Sequence, residues 1–450
     1  MNIAVINGSP KGNNSITLQS ILYLAKIYPT HNFSILNVSQ KIKALEKNCA
    51  EEIEILEYAD IIIFAYPVYT FLVPSQLLNF IELLHEHKVN LAGKTATQFT
   101  TSMKFYDVTA HKFIEENSYD LGMRYVDGIS AGMEDLLNPT GQETLKLFFD
   151  KLIFDVVTGN TKYIPPYEKN NHPVYTSQLK TDQNNIKLTD RDILILSDYS
   201  PDETSIANMV IDFKHASKYS VREINIRNYK FSGGCSGCLK CMSTASCIYK
   251  DNFEELFQDS IEMADAIIYA FTIKNHYAHS SLKCYDDRQF FNGHRPLNKG
   301  KPVGYLISGN YRQEPNLQMV IDARIQISGT YISGIVTDEL VQSTPTSITN
   351  LALSLEYALN YKVAVSSNFY YQGGMKIFRD MVYLMQGLMT EDDKFYKQTG
   401  LYDFPQKQKL KIFKFKLLGK LINSKFGQKN IQPKLTNYML KPYENLLKKS

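Results

Sequence analysis

No uncharged apolar run in the 450 residues approaches the ~20 positions that a membrane-crossing helix requires. The opening, "MNIAVINGSP", lacks the basic flank of a secretory leader and goes straight into a strand-like run. Both absences predict a cytoplasmic chain. Cysteine is scarce: there are six, and four of them (Cys235, Cys238, Cys241 and Cys247) fall within "GGCSGCLKCMSTASC" at 233–247. In a reducing compartment such clustering points to a metal or redox role, and a disulfide framework is the weakest reading. The first Gly-rich loop is neither a Walker A loop nor the dinucleotide G-x-G-x-x-G. No motif supports nucleic-acid binding.

What is present is the composition of a globular protein, 44 % hydrophobic and 21 % charged. At this length two or three domains are expected. The net charge of +3 hides an asymmetry: residues 351–450 carry 17 Lys and Arg against 7 Asp and Glu (+10), which leaves 32 against 39 (−7) for residues 1–350.

Strand and helix patterns alternate from the start. "MNIAVING" (1–8), "FSILNV" (33–38) and "IIIFAYPVY" (61–69) read as strands, and "SITLQSILYLAKIY" (15–28) has helical apolar spacing. The alternation predicts a doubly wound parallel sheet. It then recurs. "DRDILILSDYSPDETSIANMVIDF" (190–213) lies over the N-terminus at an offset of 191, and "MADAIIYAFTIKNHYAHSSLK" (263–283) lies over "EYADIIIFAYPVYTFLVPSQLL" at an offset of 205. The second copy therefore has 14 extra residues between these segments, in the interval that contains the cysteines. The expected organisation is two related α/β domains, 1–165 and 189–345, joined by a polar linker at 165–185 and followed by a helical extension at 346–450.

"NGSPKGNNSIT" (7–17) joins the first strand to the first helix. Backbone amides at such a helix start suit an anion, with Ser9, Asn14, Ser15 and Thr17 as neutral donors and Lys11 as a positive charge. A Gly/Ser/Asn turn with a helix cap explains the same residues equally well. Together with "ADIIIFAYPVYTFLVPSQLLNFIELL", this loop resembles the NAD(P)H-dependent FMN reductase and iron–sulfur flavoprotein branch of the flavodoxin-like fold. The resemblance covers roughly residues 1–160 and, more weakly, 190–335. It implies that Ser9, Pro10, Lys11, Asn14, Ser15 and Thr17 hold the phosphate of FMN. Pro67, Val68, Tyr69, Thr70 and Phe71 would touch the isoalloxazine ring, and Thr101, Ser102 and Met103 would close the site. Ligands sit at the carboxyl ends of parallel strands, where these loops converge.

The second copy departs where it matters. At the offset of 191, Gly8 becomes Tyr199, Lys11 becomes Asp202 and Gly12 becomes Glu203, and Asp198 also faces the anion position. Like charges so close to a phosphate are unfavourable, which predicts one FMN per chain. In exchange this copy has Cys235, Cys238, Cys241 and Cys247, spaced C-x2-C-x2-C-x5-C. The spacing resembles a compact ferredoxin-type run and implies a [4Fe–4S] cluster, with zinc or metal-free thiols as alternatives. Cys284 reads as a small buried hydrophobe beside Asp286-Asp287-Arg288.

The expected function is an FMN oxidoreductase fed by NAD(P)H that passes electrons to the cluster, or to a small-molecule or redox-protein acceptor, without an acid–base catalytic residue. A non-catalytic flavodoxin-like carrier and a zinc-containing binding protein are the rival readings. A homodimer of whole chains is compatible with either. Residues 407–425, "KQKLKIFKFKLLGKLINSK", form a basic apolar helix expected to pack on the domains, with contact to a membrane surface as the alternative.

Overall fold

The computed structural model describes residues 1–103, 106–166, 173–180 and 187–448, the side chain of Thr436 excepted. Residues Met1–Asp392 form one compact unit, and a second begins at Asp393. Much of the expected linker, 167–172 and 181–186, lies outside the described residues. Its middle is tied down: Tyr175 is buried, and the carboxylate of Asp212 accepts the Gln178 amide at 2.9 Å and the Ser177 hydroxyl at 2.5 Å.

The first sheet contains β1 (Asn2–Asn7), β2 (Asn32–Leu36), β3 (Ile61–Pro67), β4 (Thr95–Ser102), β5 (Arg124–Tyr125) and β6 (Ile129–Gly132). All its pairings are parallel, in the order β2-β1-β3-β4-β5, with β6 also on β4. The second sheet contains β7 (Leu188–Asp198), β8 (Tyr219–Asn225), β9 (Ala266–Thr272), β10 (Pro302–Ser308) and β11 (Tyr331–Thr337), parallel in the order β8-β7-β9-β10-β11. Numbered within each half, both orders are 2-1-3-4-5, the flavodoxin-like arrangement. β1, β3 and β10 read as nearly unbroken apolar runs because helices cover both faces.

The first half's helices are α1 (Ile16–Ile27), α2 (Val38–Leu45), α3 (Ala50–Tyr58), α4 (Ser75–Glu86), α5 (Val108–Asp120) and α6 (Pro139–Thr158). The second half has α7 (Thr204–Ala216), the short α8 (Cys241–Thr244) and α9 (Phe253–Leu256), α10 (Ser280–Arg288), α11 (Pro315–Ser328) and α12 (Thr344–Asn360). Then follow α13 (Phe369–Leu384), α14 (Thr390–Thr399), α15 (Lys409–Asn423), α16 (Lys425–Asn430) and α17 (Leu435–Leu447). Leu145, Phe149 and Leu152 of α6 close the outer face of the first sheet. Ile348, Leu351 and Leu355 of α12 do the same for the second. The structure therefore places α12 in the second α/β half, whereas the sequence pattern assigned everything from residue 346 to an extension. Its apolar stripe is what the exposed face of β10 and β11 requires.

Between the sheets the halves share one core, where α4 meets α10 and α5 meets α11. Their contacts are reciprocal. The Ser75 amide at the start of α4 donates to Asp287 Oδ2 of α10 at 2.7 Å, and the Ser280 amide at the start of α10 donates to Glu82 Oε1 of α4 at 3.0 Å. Ser280 and Asp287 lie 205 positions after Ser75 and Glu82. Each helix start thus receives a carboxylate from the opposite half, which satisfies an amide that has no partner within its own helix.

Candidate functional site

The loop after β1 is organised before any ligand arrives. Asn7 Nδ2 donates to Gly12 O at 3.0 Å and to Asn37 Oδ1 at 2.7 Å, while Asn7 Oδ1 accepts the Ser9 amide. Ser15 caps α1 by accepting the Leu18 amide, and Thr17 Oγ1 lies 2.5 Å from Thr101 Oγ1, joining the first loop to the third. The amides of the first turn of α1 have no intrahelical acceptors, so the loop presents a helix N-terminus with hydroxyls and Lys11 around it. Gly8 is needed for packing: a Cβ there would lie 2.5 Å from Leu77 Cδ2.

The loop after β3 turns through Tyr69–Leu72, with Thr70 at φ 46° and Phe71 at φ 67°. Two groups of the second half support this costly conformation. Lys283 Nζ of α10 donates to Tyr69 O at 3.0 Å and is paired with Asp287 in a fully buried contact. The same turn recurs 205 positions later, at Lys274–Tyr277, with Asn275 at φ 48° and His276 at φ 67°.

The three loops open on one cavity of about 490 Å³, within the range of cofactor sites. Twelve of the fourteen residues expected to hold the flavin line it: Ser9, Lys11, Ser15 and Thr17; Pro67, Val68, Tyr69, Thr70 and Phe71; Thr101, Ser102 and Met103. Pro10 does not line it, and Asn14 is exposed on the turn Gly12–Asn14. The cavity continues beneath α13, where Met375, Phe378 and Met381 cover it, and reaches Arg324 and Asp286, a bidentate pair at 2.5 and 2.6 Å. Sequence reading placed a helix within the stretch that holds α13 but not its cover over the cavity, and it missed the roles of Lys283 and Arg324. In "KCYDDR" (283–288) the visible trace is Lys283 itself and Asp286, the partner of Arg324.

The cysteine loop forms part of the same wall. Gly237, at φ 64°, lines the cavity, and a Cβ on it would meet the Tyr69 hydroxyl oxygen at 2.4 Å and Lys11 Cε at 3.1 Å. Gln76 Nε2 donates to Cys235 O at 3.2 Å, and the Cys247 amide donates to Glu254 Oε2 at 3.0 Å. Arg288 underlies the loop: Nη1 donates to Gly233 O, the guanidinium grips Asp251 at 2.8 Å, and it stacks 4.6 Å from the Tyr249 ring. All four cysteines are free. Burial pushes the Cys235 thiol up to about 12 and Cys241 up to about 11, and neighbouring cysteines add to both. Among the described residues, the ligand atoms that gather within 4.8 Å are those of Glu116, His276 and Glu314, so the four sulfurs are not drawn around a point. Cys284 is not remote: it lies on α10 beside Ser75 and near Tyr249, and burial pushes its thiol up to about 12.

The second half has no equivalent loop. Ile193 pairs with Ala266 as Ile3 pairs with Ile61, so strand register places Asp198, not Tyr199, at the position of Gly8. The alignment at an offset of 191, which sets the Ser200-Pro201 pair on Ser9-Pro10, is one residue out. Six residues (198–203) separate Ser197 from α7, against eight (8–15) between Asn7 and α1. Nor are the acids uncompensated: Arg227 Nε lies 2.7 Å from Asp198 and its Nη2 3.5 Å from Glu203. Ion pairs of the protein itself thus occupy the loop that corresponds to residues 8–15 of the first half.

Residues 1–132 match the family model described as NADPH-dependent FMN reductase. Over 91 residues the chain is 31 % identical to an iron-sulfur flavoprotein of Archaeoglobus fulgidus, covering 20 % of this chain and 40 % of that one, so it spans less than half the length of this curated relative. Among solved structures it is similar to the apo form of an NADH:FMN oxidoreductase, with 21 % identity, TM-score 0.30, and coverage of 34 % of this chain and 89 % of the other. A second is an FMN-dependent NADH-azoreductase from Bacillus anthracis in complex with FMN, with 14 % identity, TM-score 0.27, and coverage of 38 % and 98 %. The first α/β half of this chain, residues 1–132, therefore matches the NADPH-dependent FMN reductase family, in agreement with the resemblance carried by its loops.

Proposed function

We propose that this chain is a cytoplasmic FMN oxidoreductase that draws electrons from NAD(P)H and passes them to an iron–sulfur cluster on Cys235, Cys238, Cys241 and Cys247, or from there to a small-molecule or redox-protein acceptor. The observation that carries this reading is the meeting of three first-half loops and the cysteine loop around one cavity, with Tyr69 and Lys11 packed against Gly237. In it, the α1 N-terminus with Ser9, Ser15, Thr17 and Lys11 holds the phosphate, and Pro67–Phe71 with Thr101–Met103 border the ring. FMN accepts a hydride as an electron pair and can release electrons singly.

The chain's own residues position and shield. Lys283 and Asp287 fix the strained Tyr69 turn, and the apolar side chains of α13 exclude water from the cavity floor. The compact C-x2-C-x2-C-x5-C spacing favours a cluster over its rivals. A single tetrahedral zinc would draw its sulfurs to about 3.8 Å from one another, given Zn–S of ~2.3 Å, while a cuboidal cluster accepts ligands at separated corners. Arg288 beneath the loop would offset the charge of four thiolates.

The reciprocal helix caps and repeated turns support descent of the two halves from one unit, the second having traded its anion site for Arg227 and its ion pairs. Anaerobic purification followed by a visible spectrum and flavin, iron and zinc analysis tests the reading. Flavin with iron is expected; zinc without iron and without visible absorbance rejects it.

A further inference from the structure

The second unit, from Asp393 onward, has chemistry of another kind. Between Phe404 and Tyr443 there are ten lysines and no aspartate, glutamate or arginine. Within this stretch α15 buries none of its residues. Leu410, Phe413, Phe415, Leu417, Leu418 and Leu421 are all between 45 and 80 % exposed. Leu410, Phe413, Leu417 and Leu421 follow one another at three- and four-residue steps and so share one side of the helix. Lys409, Lys416 and Lys420, at steps of seven and four, form a second stripe along one flank of the apolar one.

The helix is 15 residues long, about 22 Å at ~1.5 Å per residue, too short for the ~30 Å hydrocarbon core. No described helix is long and apolar enough to cross a membrane. A helix with a broad apolar stripe flanked by lysines and without an acidic residue instead lies along a bilayer surface, its apolar side in the acyl boundary and its ammonium groups among the headgroups. We propose that residues 404–443 dock this protein on an anionic phospholipid surface through α15. A second copy is the wrong occupant, since it would bring another ten lysines against these ten. A nucleic acid would meet the lysines but leave the apolar stripe in water.

The test is co-sedimentation of the full chain with phosphatidylcholine vesicles, with and without about 30 % phosphatidylglycerol. Sedimentation with the anionic vesicles and none with the neutral ones is expected. Replacing Lys409, Lys416 and Lys420 by Gln should weaken binding about a hundredfold at low salt, at roughly fivefold per lysine. Replacing Leu410, Leu417 and Leu421 by Ser should weaken it at least about tenfold while all lysines remain. Both variants change exposed side chains, so the circular dichroism of the chain should not move. A chain that stays in the supernatant, or that binds neutral vesicles equally well, overturns the proposal. Undiminished binding by the serine variant also overturns it, since that behaviour belongs to a polycation that RNA would satisfy, and an oligomer dispersed by the same serine changes would make a second copy the occupant.

Discussion

Gly237 packs against Tyr69 so closely that a methyl group added to the glycine would stand 2.4 Å from the tyrosine hydroxyl oxygen. The contact joins the cysteine loop of one half to the ring-facing loop of the other. Gly237→Ala must therefore move Tyr69 and also adopt φ 64° with a Cβ, which costs about 1 kcal/mol by itself. We expect this variant to bind FMN more weakly and to alter the absorbance of the proposed iron–sulfur site together with the flavin. Unchanged spectra at both centres would separate the two loops functionally.

Lys11 offers the one flexible positive charge in the first loop. Lys11→Met should weaken FMN binding about tenfold or more, as for loss of a charged hydrogen bond. Riboflavin, which has no phosphate, should bind both forms alike. Fluorescence titration with the two flavins reads the difference, and an equal loss for both would place Lys11 away from the phosphate.

Lys283 and Asp287 form a buried pair that holds the Tyr69 turn and the start of α4. Asp287→Asn leaves the ammonium without its counter-charge and should cost about 3–5 kcal/mol in urea unfolding. The double variant Lys283→Met, Asp287→Asn should recover part of that loss. A single variant as stable as the parent contradicts the role assigned to the pair.

His276 joins the second half to α5 of the first, with Nδ1 2.9 Å from Glu314 and Nε2 3.3 Å from Asp120. Burial acts to lower its pKa, but hydrogen bonds to Asp120 and Glu314 and the charges of Glu314 and Glu116 prevail and raise it from 6.5 to about 10. Glu116 is raised to about 7 by burial, opposed by His276 and Lys112 and reinforced by Glu314 and Glu115. Both folded values lie above the ordinary ones. The associated stability is present at acid pH and is lost as pH rises, through about 7 for Glu116 and about 10 for His276. The thermal midpoint should fall between pH 6 and pH 10, and His276→Gln should flatten the upper part of that fall. A midpoint that rises over this range contradicts the assignment.

The features legible in sequence were those set locally. Strand runs and the capped loop at 7–17 depend on neighbours in the chain, and the structure gathers the loops at the carboxyl edge of one sheet. What stayed hidden depends on partners far apart in sequence. Lys283 reaches Tyr69 O across 214 positions, and α13 returns from beyond the second sheet to cover the cavity. Arg227 neutralises Asp198 from 29 positions away, so acids that looked repulsive are matched. The one-residue slip at β7 has the same origin: register is fixed by the Asn2 amide on Asp60 and the Asp192 amide on Asp265, not by the Ser-Pro pair in the loop.

The central claim is that one half of the chain grips a flavin phosphate and the other has filled that place with its own ion pairs. Acid release of flavin from the anaerobically purified protein, quantified against the chain, tests it most directly. The account predicts about one FMN per chain, reduced in Lys11→Met. A ratio near two, or no bound flavin at all, would contradict it.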